Sequence, residues 1–574
     1  MTSEPADPLA DAARPWLRHY PSSIAAEIET PRYALLGEAP GDLAARRGPA
    51  KAFTTIMPNG MAASLSFTDV DRLSDAFAAY LRECLRLEPG ARVAIQMPNG
   101  LAYPIVAFGV FKAGCVLVNV NPLYTAAEMA HVFADARPDA IVAIDMFAEK
   151  LALAMESAPI RHVVLSEAAS LFPAHSRLII GSVQKYLRKE IPRPRFAAAS
   201  FAQALAMGER KIRAGANVSA YVAGLEPASV ACLQYTGGTT GVSKAAMLTH
   251  RNFSANVMQF LSLCGTEIAE SDHVLTALPL YHIYAFTVNM LGFFFRGAHN
   301  VMAPSPRPLT NLKPAFAKQP ITFITGVNTL FGGLLNEAWF RDNPPPALRL
   351  SAAGGMALRQ SVAQRWAEVT KSPVIEGYGL SEAAPVLTFN PTLRAKAGTI
   401  GVPMPWTEIK CVDEEGRDVA PGEPGELIAR GPQVMTGYWN QPEETRIALR
   451  EGWLYTGDIA TMDHEGYFTI VDRRKDMILV SGFNVYPNQV EEVISQLPGV
   501  RECAVIGVPD ESSGEAVKAF IVRSDPALDA EGVRAFCKTQ LAAYKVPKQI
   551  VFRDDLPKSH VGKILRRDLR GQTT

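Results

Sequence analysis

Helical and strand-like hydrophobic patterns alternate along the first part of this chain. The segment Phe67–Leu85 has apolar residues at helical spacing, namely Val70, Leu73, Phe77 and Leu81. The segment Arg92–Met97 that follows has the short apolar run of a strand. Such alternation is typical of a parallel sheet covered by helices, so we expect an α/β fold built from β/α layers.

The chain is too long for one hydrophobic core, because single cores stop growing well below 574 residues. We place a domain boundary near Val471–Asp476, after a segment rich in turn residues. The pattern beyond it predicts helices and strands near Pro487–Leu497, Val500–Val508, Val517–Val522, Gly532–Leu541 and Gln549–Phe552. The sequence therefore predicts a large multi-subdomain N-terminal domain over residues 1–471 and a small α+β domain over residues 472–574.

Charge and cysteine content exclude several classes of function. Lys+Arg and Asp+Glu both number 57, so no global field draws the chain to nucleic acid. The seven cysteines form no CxxC pair, which argues against a zinc site or a disulfide framework and favours a reduced cytoplasm. The chain does not start like a signal peptide. Basic residues interrupt the two most apolar stretches, Leu101–Val120 and Ala285–Ala303, which favours buried core elements over membrane spans.

The region His175–Gly215 has a basic amphipathic pattern. Apolar residues share one helical face and basic residues lie on others: Ile179, Val183, Tyr186 and Leu187 against Lys185, Arg188 and Lys189. Such a helix can lie on an anionic membrane, here the inner face of the cell membrane. Its short length favours an ordinary surface helix packed on its own domain. Both interpretations stay open, as does assembly into a homodimer.

The strongest local signal is a glycine- and threonine-rich segment, Tyr235–Lys244. Its glycines let the backbone approach a polyphosphate, and its exposed N–H groups can hold phosphate oxygens. Threonine hydroxyls add donors or a metal contact, and Lys244 adds a positive charge. The alternative is a solvated glycine turn without a ligand.

This segment differs from the P-loop of nucleotide hydrolases. A P-loop ends in Gly-Lys-Ser/Thr and leads directly into a helix. Here Lys244 follows Ser243, and Ala245–Leu248 has a strand pattern before the helical pattern of Asn252–Leu263. A P-loop kinase or GTPase is therefore disfavoured.

Four further short segments carry related chemistry. Glu376–Glu382 combines an aromatic residue that can stack on adenine with carboxylates that can hold Mg²⁺. Tyr455–Asp458 offers a carboxylate for ribose hydroxyls, and the charged run Asp472–Asp476 follows at the domain boundary. In Pro557–Arg567, a lysine on a glycine-containing loop could enter another domain's cleft and stabilise negative charge. Taken singly, each is more often a turn or a surface cluster.

Together these segments resemble the adenylate-forming superfamily of acyl-CoA synthetases, luciferases and nonribosomal adenylation domains. The resemblance runs from about Leu65 to Arg570, and within the superfamily the chain is most similar to bacterial long-chain fatty-acid–CoA ligases. The stretches that carry it are Val118–Thr125, Tyr235–His250, Leu278–Ile283, Gly326–Phe331 and Gly482–Pro487.

The resemblance implies ATP, Mg²⁺, coenzyme A and a medium- or long-chain fatty acid as ligands, with roles for particular residues. Lys563 would bridge the fatty carboxylate and the α-phosphate, and Glu382 with Thr236 would place Mg²⁺. The implied ATP-binding residues are Thr236, Gly237, Gly238, Thr239, Thr240, Gly241, Lys244, Gly354, Gly355, Glu376, Gly377, Tyr378, Gly379, Ser381, Asp458 and Arg473.

The resemblance also implies a second step, in which the C-terminal domain rotates and coenzyme A attacks the acyl group. Lys475 matches the hinge position, and Gly482 matches a glycine that lines the coenzyme A tunnel. His282 matches a position near the acyl carboxylate, although a packed core histidine fits the sequence equally well. Val327 and Phe331 are candidates for the acyl pocket, with the run Phe293–Phe295 as a further apolar candidate.

Three other functions remain alternatives. A fatty acyl-AMP ligase would share the first step and use another acceptor, and an aryl-acid CoA ligase would take a different acid. The stretches Asn119–Thr125 and Leu278–Ile283 favour the long-chain type over both. A lipid carrier that has lost catalysis should have lost Lys563, Glu382 or the glycine-rich segment, and all three are present.

Overall fold

A computed structural model describes residues 14–22, 24, 31–236, 243–264, 268–481, 483–510, 513–559 and 562–570. Up to Arg473, these residues form three sheets with covering helices, and a fourth sheet follows. The predicted α/β class, with a large N-terminal part and a small C-terminal α+β part, is confirmed. The domain limits themselves stay predictions, and the strand Phe468–Arg473 crosses the proposed boundary.

Two sheets, mostly parallel, form the centre of the N-terminal part. The nine-stranded sheet runs, from edge to edge, Val402–Pro403, Val386–Phe389, Val374–Gly379, Leu350–Ala353, Phe323–Gly326, His273–Thr276, His299–Met302, Lys51–Ile56 and Ala62–Ser66. The seven-stranded sheet runs Ala199–Ser200, His162–Ser166, Ala140–Ile144, Arg92–Gln96, Val116–Asn119, Val230–Thr236 and Lys244–Thr249. Central strands such as Val116–Asn119 are buried along their whole length, as parallel strands covered on both faces must be.

Helices pack on these sheets, and some of them begin at a polar residue that satisfies their first backbone N–H groups. Ser66 and Thr125 each form a reciprocal capping box, with Asp69 and Glu128 respectively. The α-helices of the N-terminal part are Ala39–Arg47, Phe67–Ala79, Ala102–Lys112, Ala126–Ala136, Ala148–Ser157, Ala174–Ser182, Phe201–Arg213, His250–Cys264, Phe294–Arg296, Lys313–Lys318, Asn328–Asn336, Ala338–Asp342, Gln360–Thr370 and Pro442–Ala448. Wider π-type turns cover Tyr80–Cys84, Val183–Leu187 and Ala285–Phe293.

A smaller antiparallel sheet ends the N-terminal part. It contains Glu408–Val412, Gly425–Arg430, Trp453–Met462 and Leu449–Arg450, and Phe468–Arg473 pairs with Trp453–Met462. The C-terminal part has the sheet Phe483–Val485, Ile478–Val480, Gly514–Arg523 and Val500–Asp510, with Gln549–Arg553 beside Gly514–Arg523. Its helices are Pro487–Ser495, Ala530–Gln540 and Arg566–Arg570. A 3₁₀ turn, Arg474–Asp476, joins the two parts.

The two most apolar stretches of the chain are core elements, as predicted. Every residue of Ala102–Lys112 and of Ala285–Phe293 is buried. Lys112 is accommodated because its amine binds Asp71 and Asp75, each at 2.6 Å. Within the described ranges, no helix combines the length and apolarity needed to cross a membrane.

The helix Ala174–Ser182 lies in the region with the basic amphipathic pattern. It packs on its own domain through Ser176 and Ile180, which are buried. Leu178 of this helix and Tyr186 and Leu187 of the following π-type turn are exposed.

Candidate active site between the two parts of the chain

A cleft of about 2790 Å³ lies where the two central sheets, the small antiparallel sheet and the C-terminal part meet. The described site residues proposed from the sequence all line it, apart from Phe331 and the run Phe293–Phe295. Gly237, Gly238, Thr239, Thr240, Gly241 and Gly482 lie outside the described residues. One cavity therefore brings together segments that are more than 300 residues apart in the chain.

Tyr378, Asp458 and Arg473 form one group in the cleft. The Tyr378 hydroxyl donates to Asp458 Oδ2 at 2.6 Å, and Arg473 Nε lies 3.6 Å from Asp458 Oδ1. Asp458 and Arg473 are direct partners across an antiparallel strand pair, which fixes their spacing. Burial and the Asp458 carboxylate raise the pKa of Tyr378, so its hydroxyl stays a neutral donor.

Four glycines lie in the neighbouring wall of the cleft. A Cβ at Gly379 would lie 2.0 Å from the Pro385 carbonyl oxygen, and one at Gly377 would lie 2.5 Å from the Phe389 ring. Gly354 faces the Tyr284 ring, and Gly355 has a φ of +77°. The backbone approaches closely here because no side chain stands in the way.

Glu376 has its carboxyl group tied to the protein rather than free in the cleft. Glu376 Oε1 accepts a hydrogen bond from the Leu358 N–H at 3.0 Å. Burial raises the pKa of this carboxyl to about 8, so it is mostly protonated at neutral pH. Glu376 therefore supports the turn after Gly355 without adding a charge.

Glu382, Tyr438 and Lys244 form a second group, at the end of the strand Val230–Thr236. Tyr438 donates to Glu382 Oε1 at 2.6 Å, and the Lys244 amine lies 5.5 Å from the centre of the Tyr438 ring. Lys244 also forms an ion pair with Glu444. Burial raises the pKa of Glu382. Ser381 precedes Glu382 in the 3₁₀ turn Ser381–Ala383.

This second group fits the metal ion that the resemblance implies. Mg²⁺ is held by one or two carboxylates together with substrate phosphates and water. Glu382 offers a carboxylate oxygen inside the cleft, and Thr236 lines the same cavity. Among the residues that the structure describes, no cluster of three or more His, Cys, Asp or Glu could hold a metal without a substrate.

His282 lies in the cleft with a defined tautomer. Its Nδ1 accepts a hydrogen bond from the Tyr284 N–H at 3.3 Å, so the neutral ring carries its proton on Nε2. Burial, with the nearby Lys563 charge, lowers the pKa of His282 to about 4. At neutral pH the ring is an uncharged donor.

The loop of the C-terminal part that carries Lys563, called the lysine loop below, enters this cleft. A tight turn forms it, because Ser559 N–H donates to the Lys563 carbonyl at 2.6 Å and Gly562 N–H donates to the Ser559 carbonyl at 2.8 Å. The Gly562 carbonyl accepts a hydrogen bond from Thr329 Oγ1 at 3.3 Å, which joins the loop to the N-terminal part. Burial and the nearby Arg473 charge lower the pKa of Lys563 to about 7.

We expect Gly562→Ala to displace the lysine loop. Gly562 has a φ of +87°, and an added Cβ would lie 2.6 Å from Thr329 Oγ1. The strain disfavours the docked loop by about 1–3 kcal/mol, which would slow a reaction that needs Lys563 by roughly 5- to 150-fold. For the adenylation that the resemblance implies, pyrophosphate release measures this rate.

Gly514→Ala is the matched control for this variant. Gly514 also has a positive φ, +78°, in the C-terminal part, but its nearest neighbouring atom would be 3.8 Å from the added Cβ. Equal loss of activity in both variants would point to general weakening of the domain and contradict the loop argument.

Behind the lysine loop, Arg566 holds an ionic cluster with three carboxylates. Its guanidinium lies 3.2 Å from Asp472, 3.5 Å from Asp476 and 2.9 Å from Glu491. Asp472 is fully buried, and its Oδ2 also accepts a hydrogen bond from the Asn488 N–H at 2.7 Å. The proposed hinge residue Lys475 lies in the 3₁₀ turn Arg474–Asp476, between Asp472 and Asp476 in the sequence. Burial lowers the pKa of the Lys475 amine.

The apolar candidates divide between cleft and core. Val327 lines the cleft, whereas Phe331 is fully buried with its ring 4.8 Å from the Trp366 ring. Phe293 and Phe294 are likewise fully buried. Phe331 therefore lies in the core and does not line the cleft.

Several cleft residues were not proposed from the sequence. They include Tyr438, Tyr284, Thr329, Phe260, Val288 and Phe389, and Glu444 pairs with the cleft residue Lys244. Tyr438 lies in a Gly-Tyr-Trp triplet whose aromatic pair was the only available signal. The others carry no local pattern that separates them from core or surface residues.

Two family models match the chain. The model described as "AMP-binding enzyme" matches residues 42–439, and that described as "AMP-binding enzyme C-terminal domain" matches residues 489–563. The chain belongs to the AMP-binding enzyme family. The predicted superfamily is thereby confirmed, and the second match contains the lysine loop of this AMP-binding enzyme.

Curated relatives match this AMP-binding enzyme over nearly its whole length. A long-chain-fatty-acid–CoA ligase of Escherichia coli O157:H7 is 46% identical over 561 residues, covering 97% of this chain and 98% of that protein. A protein of the same name from Bacillus subtilis is 37% identical, covering 98% of each chain.

Solved structures have the same fold as this AMP-binding enzyme. The anthranilate CoA ligase AuaEII in complex with anthranoyl-AMP has a TM-score of 0.82 at 25% identity, covering 94% of this chain and 98% of that chain. ATP-bound MatB from Rhodopseudomonas palustris has a TM-score of 0.78 at 27% identity, covering 93% and 98%. A Mycobacterium tuberculosis fatty acyl CoA synthetase has a TM-score of 0.65 at 25% identity, covering 94% and 98%.

Proposed function

We propose that this enzyme activates a medium- or long-chain fatty acid in two steps. The acid and ATP give acyl-AMP and pyrophosphate, and the acyl group then passes to the thiol of coenzyme A with release of AMP. One observation carries the proposal: the lysine loop enters the cleft beside the Tyr378–Asp458–Arg473 group. The 46% identity to long-chain-fatty-acid–CoA ligases supports the acid and the acceptor.

In the first step, a carboxylate must approach a phosphorus atom surrounded by negative oxygens. Protonated Lys563 would lie between the carboxylate and the α-phosphate and would offset this repulsion. Asp458 would accept hydrogen bonds from the ribose hydroxyls, held in place by Tyr378 and Arg473. The adenine would lie against Gly354, Gly355, Gly377 and Gly379, which line the cleft.

The phosphate groups would lie beside Glu382 and Lys244. Glu382 and Thr236 would hold Mg²⁺, which neutralises charge on the departing pyrophosphate. Lys244 is paired with Glu444, so a triphosphate would compete with that carboxylate for the amine. Tyr438 keeps the Glu382 carboxylate directed into the cleft.

The acyl group would lie on the apolar side of the cleft. Val327, Phe260, Val288 and Phe389 line it, and each buried methylene contributes about 0.8 kcal/mol of binding. The Nε2–H of His282 would donate to an oxygen of the acyl carboxylate. In the second step, the lysine loop would have to leave the cleft so that the coenzyme A thiol can reach the carbonyl.

The deciding experiment is coenzyme A-dependent thioester formation from ATP and a panel of acids, with and without Mg²⁺. We expect thioester, AMP and pyrophosphate with medium and long fatty acids, and none of them after removal of Mg²⁺. Acyl-AMP that accumulates without thioester would identify an acyl-AMP ligase. No pyrophosphate from any acid would contradict the proposal.

An aryl acid is the second candidate substrate, because solved structures of anthranilate and benzoate CoA ligases have TM-scores of 0.82 and 0.80 with this chain. Anthranilate and benzoate therefore belong in the panel. A higher kcat/KM with either of them than with any fatty acid would favour this candidate.

The pH dependence of adenylation should report the protonation state of the Lys563 amine. Its pKa of about 7 means that the free enzyme loses this cation as the pH rises. We expect kcat/KM for pyrophosphate release to fall above about pH 7, because kcat/KM reports the free enzyme. Bound anions favour the charged amine, so kcat should fall at a higher pH.

Lys563→Arg tests that assignment. A guanidinium does not titrate below pH 12, so the fall in kcat/KM should disappear in this variant. A fall that persists at the same pH would belong to another group.

A further inference from the structure

The segment Leu278–Ile283, which carries His282, is held by side chains that belong to the other central sheet. The segment follows the strand His273–Thr276 of the nine-stranded sheet. Asn99 follows the strand Arg92–Gln96 of the seven-stranded sheet and forms three hydrogen bonds with the backbone at the start of this segment. One side chain therefore joins the two central sheets beside the cleft.

The Asn99 amide uses both its nitrogen and its oxygen in these bonds. Its Nδ2 donates to the Thr276 carbonyl at 3.1 Å and to the Leu278 carbonyl at 2.9 Å. Its Oδ1 accepts from the Leu280 N–H at 2.8 Å, and the residue is 4% exposed. Buried backbone groups cost free energy when they are left unpaired. Removal of this side chain would therefore release the backbone between Thr276 and Leu280.

Two further buried side chains from the seven-stranded sheet and its helices bind the same segment. The Tyr103 hydroxyl lies 3.0 Å from the Leu280 carbonyl oxygen and 2.6 Å from Asn119 Oδ1, so two acceptors share its one proton. Gln234 Nε2 donates to the Tyr281 carbonyl at 3.2 Å. The backbone of the segment is thus held at several successive residues from one side.

The position of this backbone determines where His282 lies. The His282 N–H donates to the Pro279 carbonyl at 3.0 Å. Pro279 stands between Leu278 and Leu280, the two residues of the segment that Asn99 binds. A shift of this short stretch would therefore move the His282 ring within the cleft.

We propose that Asn99 is a positioning residue for the acyl carboxylate. Asn99 does not line the cleft, so it acts through the segment that carries His282. The proposal rests on the proposed function, in which the Nε2–H of His282 donates to a carboxylate oxygen. Placement of such a group matters, because a displacement of about 1 Å by a distant mutation can slow a reaction about 100-fold.

The test compares Asn99→Ala with Asn252→Ala in the full-length enzyme, with dodecanoate and ATP as substrates. We expect Asn99→Ala to raise KM for dodecanoate and lower kcat, so that kcat/KM falls roughly 10- to 100-fold, with little change in KM for ATP. Asn252 is the matched control, because it is 5% exposed and its side chain also binds two carbonyls and one N–H, those of Pro432, Val434 and Thr249. Asn252→Ala should lower the melting temperature to a similar degree and leave both KM values near those of the wild type.

A double-mutant cycle separates positioning from general weakening of the fold. If Asn99 acts through His282, Asn99→Ala should change kcat/KM for dodecanoate little in a His282→Ala background. Tyr103→Phe keeps the shape of the core and removes one hydroxyl, so it should show the same pattern with a smaller loss. It also gives the answer if Asn99→Ala folds poorly. Full additivity with His282→Ala, or an equal rise in KM for dodecanoate and for ATP, would overturn the proposal.

Hydrogen exchange distinguishes failure of this proposal from failure of the proposed function. The segment Leu278–Ile283 should exchange faster in Asn99→Ala than in the wild type, and at the wild-type rate in Asn252→Ala. Unchanged exchange there, or unchanged dodecanoate kinetics in an active enzyme, would refute the positioning role alone. A wild type that releases pyrophosphate with no acid would refute the proposed function and the positioning role with it.

Discussion

Lys563→Ala should slow adenylation on the order of 10²–10³-fold, as loss of one donor to a developing charge does in other enzymes. The loop that carries Lys563 is docked in the cleft through the Thr329–Gly562 hydrogen bond, so the side chain is placed for this step. The second step should be nearly unaffected, because the proposed mechanism removes the loop from the cleft before coenzyme A reacts. Pyrophosphate release measures the first step, and thioester formation from preformed acyl-AMP measures the second.

Lys538→Ala is the control for this variant. Lys538 is an exposed lysine on the helix Ala530–Gln540 of the same domain, and its loss should change neither rate. Equal losses in both half-reactions of Lys563→Ala would indicate a damaged domain rather than a missing charge. Near-normal adenylation would refute the role of Lys563.

Arg566→Leu should destabilise the C-terminal part by about 3–5 kcal/mol, because it leaves buried carboxylates without their cation. Asp472 is fully buried, and the side chains of Asp476 and Glu491 are 9% and 16% exposed. Hydrogen exchange of the helix Pro487–Ser495 is a suitable measurement, since local opening of this part need not unfold the rest.

The pH dependence of this effect distinguishes lost charge from lost packing. Burial raises the pKa of Asp472 to about 6, and Arg566 is the main group that holds it down. Without Arg566 that pKa rises further, so the folded state binds a proton more tightly than the unfolded state does. The destabilisation should therefore be small near pH 5 and grow as the pH rises to 8.

Arg567→Leu is the neighbouring control, because Arg567 is 63% exposed and pairs only with the adjacent Asp568 among the described salt bridges. It should have little effect at any pH. A pH-independent loss in Arg566→Leu would contradict the electrostatic argument.

The elements with strong local signals could be predicted from the sequence. The helix expected at Pro487–Leu497 is Pro487–Ser495, and the strand expected at Gln549–Phe552 is Gln549–Arg553. The strand after the glycine-rich segment is Lys244–Thr249, as its pattern indicated. Each of these predictions depends on hydrophobic periodicity within about ten residues, and this pattern can be read from the sequence alone.

Features that depend on packing between distant segments could not be predicted in this way. A phenylalanine suits both a core and an acyl pocket, so the sequence at Phe331 does not separate the two. Its contact with Trp366, which only the structure shows, places it in the core. The pairing of Tyr438 with Glu382 joins residues 56 positions apart, and that of Arg566 with Asp472 joins residues 94 apart. The apolar face of the helix Ala174–Ser182 points outward because the opposite face packs on its neighbours. The hydrophobic pattern alone does not say which face is buried.

The ionic cluster around Arg566 has a consequence for the order of events during synthesis on the ribosome. Asp472 emerges 94 residues before its cation, which at about 5–20 residues per second is a delay of roughly 5–20 s. During that interval the strand Phe468–Arg473 can already pair with Trp453–Met462, but the Asp472 carboxylate has to remain hydrated. The nascent chain would thus complete its ATP-binding sheets first and close the small domain onto them last.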